Sequence, residues 1–361
     1  MATPGRLICS HRFLRAVQEA GINDCRFLYP VVYLGERIVA HTCMYLVTSE
    51  LDMFGEGWLG AVVGAVARRF PSVTRFYSLE CGTPVALGNT ISVRPETDRS
   101  TVLDALARES LHLAASYGVD GVLFRDFLDD ELAGVALLAD HGFRLVPNLP
   151  VASFAMGWAT PEAYVAALRS PYRRAFRQRR EAFARSGLVA RATTDFAPLA
   201  DALTALWRQV YDRAREYRRE VLPPTFFSRM AEELGAVAEV LLLERQGRIL
   251  AFALLFQEDD RLIWPYCGLD YSANEEYELY FNLLYEILFH GMRRGVREID
   301  MGITTLDAKK RVGATVNPLH MYMRHQSWWM RRLGPWLFRL LTPGDNTPAH
   351  RVFKDQLGDT R

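Results

Sequence analysis

The chain has 361 residues, 50% of them hydrophobic and 24% charged, with a formal net charge of +1. That length exceeds one ordinary core and suits two domains. The near-neutral balance excludes a whole-molecule field for nucleic acid, so any basic site has to be local. The opening residues, MATPGRLICS, lack the charged head and apolar run of a secretory leader. The longest apolar stretches fall far short of the roughly 20 residues of a membrane span. Cys9, Cys25, Cys43, Cys81 and Cys267 are scattered and never in C-x-x-C spacing. They read as reduced, buried thiols of a cytoplasmic protein, not as a disulfide frame or a zinc site. The histidines show no metal-binding spacing, so no metal is expected.

The first half opens with an amphipathic helix, HRFLRAVQEAG, stopped at Gly21. Two strand-like runs follow, RFLYPVVYLG and RIVAHTCMYLV, joined at Gly35-Glu36 and rich in β-branched and aromatic residues. GWLGAVVGAVARRF reads as helix and RFYSLECG as strand. DRSTVLDALARESLHLAASYG is a helix with a stop at Gly118. VDGVLFRDF is a strand, DDELAGVALLADHG a helix, and FRLVPNLPVASFAMGW a bent strand. A helical piece, TPEAYVAALRSPYRRAFRQRREAFARSG, links the halves.

The second half repeats the order. LVARATT is a strand and APLADALTALWRQVYDRAREY a helix. Three antiparallel strands turn at Gln246-Gly247 and Asp259-Asp260. EEYELYFNLLYEILFHGMRRG is a long helix with acids at its start and arginines at its end, as the helix dipole favours. VREIDMG is a strand, TLDAKKRVG a short helix and HMYMRHQSW a strand. YLGERIVAHTCMYLV parallels RQGRILAFALLFQ, and SYGVDGVLFRDF parallels RRGVREIDMG, so the chain reads as an internal duplication.

This order resembles the GNAT acyltransferase fold, and the tandem pair resembles the Fem-type aminoacyltransferases and relatives with a BioF2-like acetyltransferase domain. The resemblance rests on SPYRRAFRQRR, GRILAFALLF and HGMRRGVREIDMGITTLDAKKRVGA, the last similar to the family's run of helix, Gly, strand, Gly and a Lys before a Gly. It implies an α/β chain of two tandem GNAT-like domains, each a mixed, mostly antiparallel sheet flanked by helices. The expected borders are 1–160 for a first domain shaping the acceptor cleft, 161–187 for a basic linker helix, and 188–361 for a catalytic domain with an amphipathic tail. Single-domain GNAT enzymes hold the CoA pyrophosphate with an Arg/Gln-x-x-Gly-x-Gly/Ala loop before the long helix, using backbone N–H groups. Here GLDYSANEEYELY has one glycine and two adjacent glutamates at that place. Fem-type enzymes also lack the loop.

Arginine supplies 40 of the 43 basic residues; the lysines are Lys309, Lys310 and Lys354. Lys309 aligns with the family's lysine. A compact ammonium neutralises a phosphate, a carboxylate or a developing oxyanion in a way a planar guanidinium does not. The plain alternative is a solvated Lys309–Lys310 pair. Asp270 ends the strand before the long helix and Asp300 sits in the strand after it. Either carboxylate could take the proton of an attacking amine, or serve as a helix cap or a solvent-facing strand residue. Tyr266 and Tyr322 could protonate the leaving group, or could be core residues. His320, Tyr322 and Arg324 alternate onto one strand face.

Residues 169–191 carry eight arginines against one glutamate. Arg173, Arg174 and Arg177 share one helical face beside Tyr172, a pattern suited to the phosphates of tRNA or of a nucleotide-linked substrate, or to a solvated linker. FGEGWLG matches G-x-G-x-x-G at Gly55, Gly57 and Gly60, with Glu80 beyond. The glycines do not directly follow a strand, so dinucleotide binding is set aside. HQSWWMRRLGPWLFRLLTPG, and within it residues 326–341, suits a membrane surface, its own domain or a second chain.

The expected activity is transfer of an acyl or aminoacyl group to a primary amine of a small molecule or peptide. Acyl-CoA or aminoacyl-tRNA would be co-substrate, with no tightly bound cofactor. Attack would be direct, in keeping with the lack of a Ser-His-Asp or Cys-His signature. The competing expectation is a non-catalytic pair of domains that grips RNA, lipid or a protein partner.

Overall fold

The computed structural model describes residues 6–50, Arg69, 75–214, 219–342 and 344–354. The first half holds α1 (His11–Glu19), β1 (Arg26–Leu28), β2 (Val31–Leu34), β3 (Arg37–His41), β4 (Met44–Glu50), β5 (Arg75–Cys81), β6 (Ser92–Val93), α2 (Arg99–Tyr117), β7 (Gly121–Phe127) and β8 (Arg144–Ala155). It continues with α3 (Pro161–Ala167), α4 (Ser170–Ser186), β9 (Val189–Thr193), α5 (Ala200–Arg213), α6 (Pro224–Leu234), β10 (Ala238–Arg245), β11 (Arg248–Glu258) and β12 (Arg261–Leu269). Last come α7 (Tyr271–Tyr277), α8 (Leu279–Arg294), β13 (Glu298–Asp300), α9 (Leu306–Arg311), β14 (Thr315–His325) and α10 (Trp328–Leu341). Gly55, Gly57, Gly60 and the helix expected around them lie outside the described residues.

Two compact units divide the chain: Met1–Pro150 with Arg215–Pro223 and Pro318–Gly344, and Val151–Ala214 with Pro224–Asn317 and Asp345–Arg361. These borders differ from those expected at 160 and 188. The expected linker falls inside the second unit, because Tyr164, Leu168 and Phe183 of α3, α4 and their junction are buried in its core. Residues 318–344 fall in the first unit. The reason is strand pairing: β14 runs antiparallel to β7, with Arg324 opposite Val122 and His325 opposite Gly121.

In the first unit the strand order is β1-β4-β5-β7-β14-β8, with a small sheet β2-β3-β6. The β2–β3 hairpin turns at Gly35, whose φ of 60° needs a residue without Cβ. Each of the two expected long strands divides in two, at Pro30 and at Thr42-Cys43. Thr42 N–H donates to Pro30 O at 3.1 Å, which closes the chain at that break. Asp98 caps α2 by accepting from Ser100 N and Thr101 N, and Gly118 ends it in the left-handed region. The expected helix DDELAGVALLADHG is a 3-10 run over Asp129–His141. Phe124, Phe127 and Phe143 fill the core with the buried face of α2. Each such ring contributes about 2–3 kcal/mol by leaving water.

Met44, Leu46, Leu79, Cys81, Val122 and Phe124 face that core, so the alternate residues of β4, β5 and β7 turn to the other face of the sheet, which holds a buried charge cluster. Glu80 on β5 accepts from Tyr45 Oη at 2.8 Å, Ser78 Oγ at 2.9 Å and Arg125 Nη1 at 2.9 Å, and pairs with Arg219. The two arginines outweigh burial and hold its carboxyl at about 2. Next to it, β7 bulges: Arg125 and Asp126 together face Met321, and Asp126 sits at φ 63°. Asp126 Oδ1 accepts from Asn148 Nδ2 at 2.6 Å, and Oδ2 lies 3.7 Å from Arg125 Nη2.

In the second unit the order is β8-β13-β12-β11-β10-β9. β9 to β12 form an antiparallel meander, turning at the expected Gln246-Gly247 and at Asp259, all with positive φ. β13 then pairs with β12 in parallel. The first unit has the same feature in β5 and β7, as the duplication anticipated. The expected long helix is broken into α7 and α8 at Glu278, φ 50°. Asn282, fully buried, sustains the break: its Nδ2 donates to Arg179 O, Tyr277 O and Glu278 O.

α5 crosses β12 so closely that a Cβ built on Gly268 would lie 2.6 Å from Trp207 N and 2.7 Å from Leu206 C. These are backbone atoms of a packed helix and cannot step aside. Gly268→Ala is therefore expected to cost about 3 kcal/mol, read as a lower urea midpoint at unchanged slope.

Candidate active site at the fork of β12 and β13

The fork begins with a proline. In IWPYCG, Pro265 has no N–H to give to a ladder. The β11–β12 register steps there, so that Trp264 and Pro265 together face Leu255. Such a bulge bends its strand. β12 and β13 are paired from Arg261–Glu298 to Ile263–Asp300, and the register ends there. Beyond that point Met301 N–H donates to Ala152 O and Gly302 O accepts from Ala152 N, so the chain after β13 stays with β8. Gly302 turns at φ 74°. The two strands part between Trp264 and Gly302.

Lys309 stands at this fork. Successive residues of a helix point about 100° apart, and α9 turns Lys309 inward and Lys310 away. Lys309 is 3% exposed, and its ammonium lies 5.3 Å from the centroid of the Trp264 ring. A Cβ on Gly302 would be 4.0 Å from that Nζ and 3.6 Å from Trp264 O. Lys310 is instead tied to Asp345 and donates to Thr347 O at 3.1 Å. The adjacent lysines thus have separate jobs: one faces the fork, the other fastens the segment after residue 344.

Two further groups sense Lys309. Burial pushes the Asp300 carboxyl up, while its bond from Gly302 N–H (2.9 Å) and the charges of Arg261 and Lys309 pull it down. Burial pushes the Cys267 thiol up to about 11, against the Lys309 charge. A buried ammonium over an indole can hold a developing oxyanion, and a carboxyl raised from its ordinary range, within reach of that charge, can accept a proton from an attacking amine. Trp264 escaped the sequence reading; its signal was the proline that follows it inside a strand.

The other expected site residues divide. Asp270 is buried and caps α7 by accepting from Ser272 N (3.0 Å) and Ser272 Oγ, and it also pairs with Arg248. That is the helix-cap reading. Tyr266 is half-buried, its ring edge-on to Phe226 at 5.7 Å. Tyr322 is buried in the core of the first unit against Phe127, and the structure does not bring it into the cluster of the second. On α4, Tyr172 meets His350 Nδ1 at 3.2 Å and Arg173 Nη1 donates to Leu168 O at 3.0 Å. Arg174 and Arg177 are exposed. Arg179 and Arg180, from the same basic run, are spent on Glu278 and Glu286. Where a CoA loop would stand, the chain forms α7, with Glu275 and Glu276 exposed on it.

Residues 170–310 match the family model described as an acetyltransferase (GNAT) domain. A protein of Mycobacterium tuberculosis strain H37Rv, provisionally named 8-amino-7-oxononanoate synthase 2, is 28% identical over 321 residues. The match covers 87% of this chain and 42% of that protein, so the chain spans less than half the length of its curated relative. Among solved structures, FemX superposes with a TM-score of 0.56 at 10% identity, over 92% of this chain and 95% of that one. A tandem GNAT protein from the clavulanic acid biosynthesis pathway gives 0.50 at 11% identity, over 91% and 90%. These two likenesses are likenesses of fold. The matched segment runs from α4 through the three antiparallel strands β10 to β12, the long helix α8 and β13 to α9, and it contains the fork. Residues 170–310 are thus similar to a GNAT acetyltransferase domain, and the fold of the chain is like those of FemX and the tandem GNAT protein.

Proposed function

We propose that the second unit transfers an acyl or aminoacyl group from an activated ester or thioester to a primary amine by direct attack. The observation that carries this is Lys309, buried at the β12–β13 fork within the matched GNAT domain, with Asp300 at the end of β13 within reach of its charge. The donor carbonyl lies in the fork, Lys309 stabilises the oxyanion as the amine attacks, and Asp300 receives the amine's proton; the adduct then collapses with breakage of the ester C–O or thioester C–S bond, and the departing hydroxyl or thiol takes up that proton. Two donors fit: an aminoacyl-tRNA and an acyl-CoA. Helix α7 with Glu275 and Glu276 in place of a Gly-x-Gly loop favours the first, and exposed Arg174 and Arg177 are suited to its phosphates.

The test is calorimetric titration of the purified chain with acetyl-CoA, longer acyl-CoAs and mixed aminoacyl-tRNA, followed by discharge assays with small amines. Micromolar tRNA binding that weakens steeply with salt is the expected result, accompanied by loss of the aminoacyl ester when amine is added. Binding of an acyl-CoA alone makes the chain a CoA-dependent N-acyltransferase. Binding of neither donor overturns the transferase reading. Binding without turnover in any amine favours a domain pair that only grips its ligand.

A further inference from the structure

Helix α10 presents an apolar stripe that its own unit leaves uncovered. Its inner side is seated: a Cβ on Gly334 would lie 3.7 Å from the Met323 methyl, and Phe338 packs on the cluster of Leu123, Val146, Met321 and Met323. The outer side carries Trp329 (50% exposed), Leu333 (51%), Trp336 (60%) and Leu337 (39%), which recur at the spacing of one helical face. Trp328, at the N-terminal end, is 71% exposed. Exposed tryptophans are costly, and grouped ones mark a contact surface.

Charge selects the occupant. Residues 326–341 contain Arg331, Arg332 and Arg339 and no acidic residue. Arg331 donates to His325 O and Gln326 O, and Arg339 to Leu145 O, so both guanidiniums are held at the helix flank. Arg332 is exposed beside the stripe. A two-fold contact between copies of this helix would set arginines against arginines, and interface cores are poor in charge. Tryptophans at the water boundary, flanked by arginines, are the composition of a helix lying in the headgroup layer of an anionic bilayer. No helix among the described residues is long and apolar enough to cross one.

We infer that α10 is a peripheral anchor that docks the first unit on an anionic membrane surface, its tryptophan stripe inserted at headgroup depth and its arginines against lipid phosphates. This stands independently of the transfer reading, since none of its residues belongs to the fork.

The experiment is co-sedimentation of the full chain with vesicles of phosphatidylcholine alone or with one third phosphatidylglycerol, at low and high salt. The wild type is expected to partition onto the anionic vesicles about tenfold more strongly than onto neutral ones, and to be released by salt. Trp329→Ser with Trp336→Ser should lose about tenfold in partition, and Arg332→Glu a similar amount on anionic vesicles only. These side chains are exposed, so thermal midpoints should match the wild type. Equal partition onto both vesicle types, or none onto either, overturns the inference. So does a dimer in light scattering that the double tryptophan variant dissolves, which assigns the stripe to a second copy.

Discussion

Lys309→Met is expected to lower turnover by about a hundredfold to a thousandfold, the loss typical of removing one preorganised oxyanion donor. The side chain is 3% exposed, and methionine keeps its unbranched stem but ends one atom short of the ammonium. Removing one buried charge leaves the groups around it uncompensated, so the urea midpoint should fall, and turnover is compared at a temperature where both proteins are folded. Lys309→Arg should not rescue, because a planar fork does not occupy the place of a compact ammonium over the Trp264 ring. Donor affinity in the Met variant separates two roles. Unchanged affinity with lost turnover makes Lys309 catalytic; lost affinity with saturating turnover intact makes it an anchor for the donor. The pH profile tests its partner. Burial raises the Asp300 carboxyl, and a base acts only when deprotonated. The wild-type rate should therefore rise with pH through a value above the ordinary aspartate range. That limb should be absent in Asp300→Asn.

Glu80→Gln should cause the largest loss of stability, about 3–5 kcal/mol. The carboxylate is 2% exposed and accepts from Tyr45, Ser78 and Arg125 while pairing with Arg219. Without its charge, Arg125 and Arg219 remain buried beside a neutral amide, with Asp126 3.7 Å from Arg125. The sign with pH follows from the lowered carboxyl. Stability from Glu80 is complete above the ordinary glutamate value of 4.5 and is lost as pH falls toward about 2. Asp126, raised by burial, acts the other way and loses stability as pH rises through its folded value. Urea titrations across the acid range should show a steep limb in the wild type. If Glu80→Gln keeps that limb and the wild-type midpoint at neutral pH, the cluster is not what holds this face of the sheet.

What could be read in the chain was local. The hairpins at Gly35, Gln246-Gly247 and Asp259 follow from turn residues that tolerate positive φ, and α2 from its cap and its stop. What could not be read depends on partners distant in sequence. PPTFFSRMAEEL carries its signal openly, prolines and then Phe226, Phe227, Met230 and Leu234 at helical spacing, yet α6 went unanticipated. The break at Glu278 has no local sign, because the amide that sustains it belongs to Asn282 and part of what it bonds lies on α4. At the site, the rarity of lysine drew attention to the Lys309–Lys310 pair, but the burial of Lys309 depends on how α9 packs. Glu80 was met only as a spacing from glycines, and its partners Arg125 and Arg219 come from far along the chain. The basic run of α4 was legible as charge. Its division into exposed Arg174 and Arg177 and structural Arg179 and Arg180 was not, since the acids that pair with the latter lie about a hundred residues on.

The course of β14 bears on how the protein is made. Its first residues belong to the second unit and its later ones to the first, where they lie along β7. While the chain emerges from the ribosome, β7 waits for a neighbour encoded some two hundred residues later, with most of the second unit synthesised in between. During that interval its free edge is a template for wrong pairing. A gene cut between the halves would leave the first half permanently in that condition. The two units are therefore duplicates in pattern and a single object in biosynthesis.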